Sequence, residues 1–300
     1  MKNNHVISLL VVLASSMQAL CAFAQSEDKE PRTDITHTTM LGVGPTQILD
    51  TYISPEHYNG IELRFIDHTQ RRKTASPLRS DAVAASSSAG PACSDAVADP
   101  IAYRKWSTGI THQAYISFTS PRSDDNDNMA GLYTLTIGKH RHWEFLGNRL
   151  HIKAGAAAEA GIGFLYNTRN GNNPAQLRLG LNIAPSASAS YDFTAFRKRF
   201  TVDYGVQVPL LGVMFTPHYG QSYYEIFTRG NYDHNVVLFH PFNTPSMRHA
   251  LTLQLHLKKV SLRLGYLGDY QQADVNNLKY HNYSHLVVFG ITRRFHIVNH

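Results

Sequence analysis

The chain has 300 residues, 17% of them charged and 43% hydrophobic, with a formal net charge of +6. Charge is low for a water-soluble domain of this length. Even so, beyond the N-terminus no apolar run approaches the roughly 20 residues that a membrane-spanning helix needs, which argues against a helical membrane protein.

The N-terminus carries the marks of a secretory signal. Lys2 supplies a basic start, Val6 to Leu13 an apolar centre and Ala22-Phe23-Ala24 a small-x-small cleavage site, so residues 1–24 are expected to be removed. Cys21 raises the question of lipid attachment, but Leu20 before it and Gln18 two residues earlier fit that pattern poorly. After cleavage Cys93 is the one cysteine left, which rules out an internal disulfide, and loss of Lys2 lowers the formal charge to +5. An exported, mildly basic chain points to lipopolysaccharide phosphates or acidic glycans as partners and away from nucleic acid.

The rest is organised by alternation with period two, the mark of strands with one apolar and one polar face. Residues 25–40 are polar and expected to be a flexible lead-in to one domain over 41–300. Leu41 to Ile53 is a first strand or a plug, and Ser54 to Gly60 a turn. Ile61, Leu63 and Phe65 then alternate with Glu62 and Arg64. Residues 70–106 are rich in Ala, Ser, Pro and Asp, too poor in apolar residues to offset the ordering entropy, and are expected to be a disordered loop. Strands follow at Gly109–Thr119, Ala130–His140, Leu150–Tyr166, Leu177–Tyr191 and Phe200–Val208. Polar turns separate them, at Ser123–Asn128 and Asn167–Pro174 among others. Phe215 to Pro245 is a long loop rich in Tyr, His and Pro. The clearest alternation closes the chain: Leu251, Leu253, Leu255 and Leu257, a break at Lys258-Lys259, then Val260, Leu262 and Leu264, a polar run from Gly268 to Ser284, and a last strand to Phe295.

Such segments, repeated in hairpins, suit an all-β transmembrane antiparallel barrel with a polar interior. The count is ten strands. It is twelve if Tyr223–Thr228 and Val236–Phe239 form another hairpin, and eight if the N-terminal pair fails. The expected setting is a Gram-negative outer membrane, with the C-terminus periplasmic, the long loops extracellular, and lipids, lipopolysaccharide and the barrel-assembly machinery as partners.

Four loop motifs, Leu49-Asp50-Thr51-Tyr52-Ile53-Ser54-Pro55, Asn167 to Gln176, Phe215 to Phe227 and His281-Asn282-Tyr283-Ser284-His285, resemble those of an uncharacterised Bacteroidetes family catalogued as a domain of unknown function. The resemblance covers nearly the whole mature chain and implies no activity, substrate or catalytic residue.

Candidate chemistry collects at the loop end. Ser222, Glu225, His281, Ser284 and His285 supply the residue types of a hydrolase, though the chain holds no His-x-Ser pair, and adjacent Ser284 and His285 would point to opposite faces of a strand. His281 and His285 share a strand face but lie about 13 Å apart, too far for one metal ion, so no metal and no cofactor is expected. Asn167, Arg169, Asn170, Tyr219, Gln221, Tyr223, Tyr224 and Glu225 are the candidates for binding a glycan or small molecule. Lys153, Glu159, Arg178, Asp203 and Arg263 fall on the inward parity and are expected to fill the lumen, because a charge facing lipid costs roughly 2–4 kcal/mol. The activity expected is that of a narrow or plugged barrel with binding or structural loops; a small-solute channel and a lipid-modifying hydrolase are the alternatives.

Overall fold

A computed structural model describes residues 32–74, 103–123, 127–168, 174–232 and 234–298. The expected signal segment and most of the Ala- and Ser-rich stretch lie outside the described residues. The elements are β1 (Arg32–Asp50), β2 (Ser54–Thr74), β3 (Tyr103–Pro121), β4 (Asn128–Phe145), β5 (Leu150–Asn167), β6 (Ala175–Ala195), β7 (Lys198–Gln207), β8 (Leu211–Phe215), helix α1 (Tyr223–Phe227), β9 (Val236–Phe239), β10 (Met247–His256), β11 (Ser261–Val275) and β12 (Leu278–Val298).

All pairings are antiparallel, and β1 pairs with β12, so the sheet closes. The twelve strands build ten staves. β6 pairs with β8 near Ile183↔Leu211 and with β7 from Ser186↔Gln207, making β7 and β8 two halves of one stave interrupted around Pro209. The next stave is likewise split, β9 pairing with β8 and β10 with β7. A proline has no N–H to give the ladder, which is why the interruption falls there.

The registers set the barrel's shape. The path Asp34, Arg72, Ser107, His140, Gly155, Ser186, Gln207, Arg248, Asp269, Ser284 returns to β1 at Thr46, so one circuit climbs from residue 34 to residue 46, a stagger of 12 residues. Twelve residues at about 3.3 Å, over ten strands about 4.8 Å apart, tilt the strands by ~40°. The lumen of such a barrel is narrow enough for side chains to fill.

Alternation then divides the residues. Leu41, Val43, Ile61, Leu63, Leu181, Ile183, Leu264, Val287 and Phe289 all point outward and are each more than half exposed. They form a continuous apolar belt far larger than a protein surrounded by water tolerates.

Five parts of the chain differ from the sequence expectation. β1 begins at Arg32, so residues 32–40 are strand and not a flexible lead-in; their partner is the far end of the chain, Arg32 lying opposite Val298. Residues 54–60 are strand, the turn being Thr51–Ile53 alone. Residues 70–74 and 103–106 extend β2 and β3 into the segment expected to be a loop. The polar run 268–284 is a hairpin with a two-residue turn, Asn276 and Asn277 both at positive φ (54° and 59°) as a type I′ turn requires. In the long loop, Val236–Phe239 is a strand, but Tyr223–Phe227 is a helix and not its hairpin partner.

Close backbone approach explains Gly60. A Cβ there would stand 2.0 Å from the Phe118 carbonyl oxygen of β3. Gly60→Val is expected to prevent closure of β2 on β3. The compact form of the barrel in unheated detergent gels should disappear, while a Gly180→Ala control, where the space is open, should keep it.

Candidate functional site

The inward face of β2 gives the layers of the lumen in order. Tyr58 lies nearest the loop end, followed by Glu62 and Arg64, then Ile66, then His68 and Gln70.

The middle layer is ionic. Arg64, with 0% side-chain exposure, donates through Nε to Glu62 Oε1 at 2.6 Å and through Nη1 to Asp269 Oδ2 at 2.5 Å. Its guanidinium stacks 4.9 Å from the centre of the Tyr115 ring. Arg248 continues the network to Asp269 at 3.4 Å and to Glu159 at 3.1 Å. Glu159 also accepts from Gln207, Asn182 and Thr136, and Glu62 from Ser284 at 2.6 Å. Three carboxylates and two guanidinium groups thus span the barrel from β2 to β5, β10 and β11. Beneath them Ile66, Leu267, Leu286 and Val288 form an apolar layer, with Met40 and Ala250 packed against it.

A second polar layer lies toward the loop end. Arg178 Nη1 is 3.3 Å from Asp50 Oδ2, and its guanidinium sits 3.1 Å from the centre of the Tyr280 ring. Asn167 donates to Tyr58 Oη and Asn128 Oδ1. At the opposite end Lys153 donates to Gln70, Arg263 to Gln254, and Ser190 to Asp203. The five inward charges expected from the sequence therefore belong to three separate layers and not to one network. The strongest members of the middle layer, Glu62, Arg64, Arg248 and Asp269, were not among them. The alternation around Ile61, Leu63 and Phe65 marked Glu62 and Arg64 as inward, whereas Asp269 lay in a run expected to be loop.

A lid covers the loop end. Thr216 N–H donates to the Asn235 carbonyl, closing the base of the 216–235 loop. Within it Ser222 and Glu225 form a reciprocal capping box on α1, and Ile226 is buried. Hydrogen bonds from Ser222 hold the Glu225 carboxyl below the usual range. The lid is tied down on two sides. Tyr52 Oη donates to the Gln221 carbonyl at 2.8 Å, and Asn276 Nδ2 donates to the His234 carbonyl at 3.0 Å. Tyr223 stacks against Phe227, packs edge-on to Tyr52 and lies beside Phe215. Its hydroxyl accepts from Leu177 N–H at 2.6 Å.

These contacts sort the sequence candidates. Ser222 and Glu225 are spent on the cap, Gln221 on lid hydrogen bonds to His218 and Asn235, and Asn167 on the wall. Arg169 and Asn170 lie outside the described residues. Ser284 faces inward, bonded to Glu62 and Thr46, whereas His285 is outward on Tyr266, and His281 stacks on Tyr283 at 4.6 Å. Among the described residues, no hydrogen bond joins Ser222 or Ser284 to a histidine. Tyr219 and Tyr224 stay exposed on the lid with Phe227 and Tyr232, at 58–73% exposure.

Two outcomes follow. Removing one partner of a buried pair strands the others, at a cost of roughly 3–5 kcal/mol. Arg64→Ala should lower the unfolding free energy in detergent by about that much, while Glu62→Gln/Arg64→Met/Asp269→Asn, which removes the charges together, should stay closer to the parent; urea titration reads both. In the lid, burial above all pushes the Tyr223 hydroxyl up to about 12. A phenol whose folded-state pKa is raised contributes stability that is fully present below the ordinary value near ~10 and is lost as pH rises through the folded one. Proteolysis of the lid should therefore accelerate between about pH 10 and 12, and Tyr223→Phe should remove that step.

No curated protein matches the chain in sequence. Among solved structures, the translocator domain of the autotransporter NalP from Neisseria meningitidis is similar over 97% of this chain and 96% of its own, at 10% identity and a TM-score of 0.37. The outer-membrane protease OmpT from Escherichia coli is similar over 92% and 99%, at 8% identity and a TM-score of 0.43. The transport unit of the autotransporter AIDA-I, also from Escherichia coli, is similar over 96% and 98%, at 8% identity and a TM-score of 0.39. A family model described as "Protein of unknown function (DUF3316)" matches residues 6–87 and 97–300, and the chain belongs to that family.

Proposed function

We propose that this protein is a closed, non-conducting barrel of a Gram-negative, Bacteroidetes-type outer membrane, and that it acts through its lid as a glycan-binding surface. The observation that carries the reading is Arg64. A guanidinium with no exposed side-chain surface, held between β2 and β11 and underlain by the apolar layer at Ile66, leaves a solute no ready passage. The outward belt of apolar side chains supports a lipid setting, because a closed ladder is the one sheet form that satisfies its backbone groups in hydrocarbon. In this setting the lid faces outward and the chain ends face the periplasm. The barrel-assembly machinery inserts the chain, and lipopolysaccharide surrounds it.

The lid is held rigid by the capping box and by Tyr52 and Asn276, yet presents Tyr219, Tyr224 and Tyr232 to solvent. Tyrosines with few rotatable bonds, on a fixed support, bind flat sugar faces at low entropic cost. A hydrolase reading lacks this support, because Ser284 and His285 occupy opposite faces of β12.

The test is paired. Full-length protein in a planar bilayer should insert and give no steady current; a steady current would replace this reading with the channel. On an array of surface polysaccharides the parent should bind at least one glycan. Tyr224→Ala/Tyr232→Ala should lose that binding with the barrel intact, and retention by the variant would remove the lid from the function.

A further inference from the structure

The lumen changes character on passing the apolar layer at Ile66. On the lid side of it Glu62, Arg64 and Ser284 have no exposed surface. On the other side, toward the chain ends, the inward-facing Lys153, Ser188, Asp203 and Arg263 are all partly exposed, so this half of the lumen holds open space. Its β5–β6 wall is built largely of small side chains, with Gly155 opposite Ser186 and Lys153 opposite Ser188.

The deep charges of this half are unevenly matched. Nearer the rim Arg72 pairs with Glu144, His296 with Asp34, and Asp192 lies 3.4 Å from His151. Among the described residues, Lys153 and Arg263 make no ion pair. Each donates to an amide oxygen instead, Lys153 to Gln70 Oε1 at 3.2 Å and Arg263 Nη2 to Gln254 Oε1 at 2.9 Å. The two cations repel one another, and a single carboxylate, Asp203, attracts both without touching either. That carboxylate already accepts from Ser190 Oγ. Arg294 adds a further repulsion on Arg263.

The unsatisfied polar atoms have the same bias. Among the described residues, those buried without a hydrogen-bond partner in this half are Arg263 Nε, Gln254 Nε2, Ser188 Oγ and Thr252 Oγ1. The two nitrogens can only donate, the two hydroxyls can donate, and none of the four is a bare acceptor. The Gln254 amide, 4% exposed, is fixed in orientation, because its oxygen takes the Arg263 hydrogen bond and leaves the NH2 group open. Gln254 and Arg263 are partners in the β10–β11 register, Lys153 and Ser188 in the β5–β6 register. The donors therefore come in two pairs, on either side of the β7 stave that carries Asp203.

We propose that this half of the lumen is an anion site, and that it takes a small phosphate-type oxyanion entering from the mouth at the chain ends. Lys153 Nζ and Ser188 Oγ meet the anion from one side, Arg263 Nε and Gln254 Nε2 from the other. A tetrahedral anion, with oxygens pointing in several directions, suits donors that arrive from two walls; a carboxylate offers two oxygens in one plane. Guanidinium and ammonium groups are the usual protein partners of phosphate. The site lies at the opposite end of the barrel from the lid and goes beyond the proposed function.

The experiment uses the full chain refolded in a neutral, phosphate-free detergent and titrated calorimetrically with inorganic phosphate at constant ionic strength. Saturable, single-site binding is expected. Lys153→Met and Arg263→Gln should each weaken it by about tenfold. Lys258→Gln, in an exposed turn outside the lumen, should leave it unchanged, and Asp203→Asn, which removes the opposing carboxylate, should tighten it. Folding is read from the compact form in unheated gels. Should Arg263→Gln lose that form, Ser188→Leu tests the site by filling it from another strand. Absence of saturable binding by the parent, or parent-like affinity in a folded Lys153, Arg263 or Ser188 variant, overturns the site. Acetate binding as tightly as phosphate overturns the phosphate assignment, and weaker binding by Asp203→Asn overturns the charge argument.

Discussion

Everything in this molecule follows from closing a backbone ladder on itself. A sheet edge in hydrocarbon leaves rows of unpaired N–H and C=O groups, and each costs several kcal/mol. Pairing β1 with β12 removes both edges at once. The stagger from residue 34 to residue 46 then fixes tilt and bore together. The inward glycines permit that curvature where neighbouring strands approach closely, as at Gly60.

A narrow bore makes the lumen a packing problem. Its solution is stacked: a lid-side layer around Arg178 and Asp50, an ionic layer around Arg64, an apolar layer around Ile66, and a polar layer around Lys153 and His68. The ionic layer has the greatest consequences. Buried charges are tolerated only when each is paired and hydrogen-bonded, so Glu62, Arg64, Glu159, Arg248 and Asp269 lock four strands drawn from both halves of the chain. The lid repeats this logic on a smaller scale, with Ser222 and Glu225 satisfying one another and Tyr52 reaching across to Gln221.

Against so complete a ladder, the gap at Pro209, between Gln207↔Arg248 and Gly212↔Phe239, stands out. Backbone left unpaired at the depth of the apolar belt is tolerated only where protein or a polar cavity meets it. Here a cavity does. Its ionisable lining is Glu159 and Asp269 with Arg178 and Arg248, so the break opens onto charges that balance.

The sequence by itself determined the fold class, because the alternation of Leu251, Leu253 and Leu255 with Thr252 and Gln254 is a local property that needs no partner to be seen. The same alternation assigns Glu159 and Arg178 to the face opposite their apolar neighbours. Local pattern failed where a partner is remote. Residues 32–40 look like a polar leader until Val298 is placed beside Arg32, and the run 268–284 looks like a loop until its polar positions are seen to line a lumen and its outward Tyr270 and Tyr283 to pack edge to face. Tertiary structure alone decided which charges meet. Parity assigns a side chain to a face but not to a height, and height depends on the stagger summed over ten registers. For the same reason the lid, the ionic layer and the opening at Pro209 became visible only once the barrel was closed.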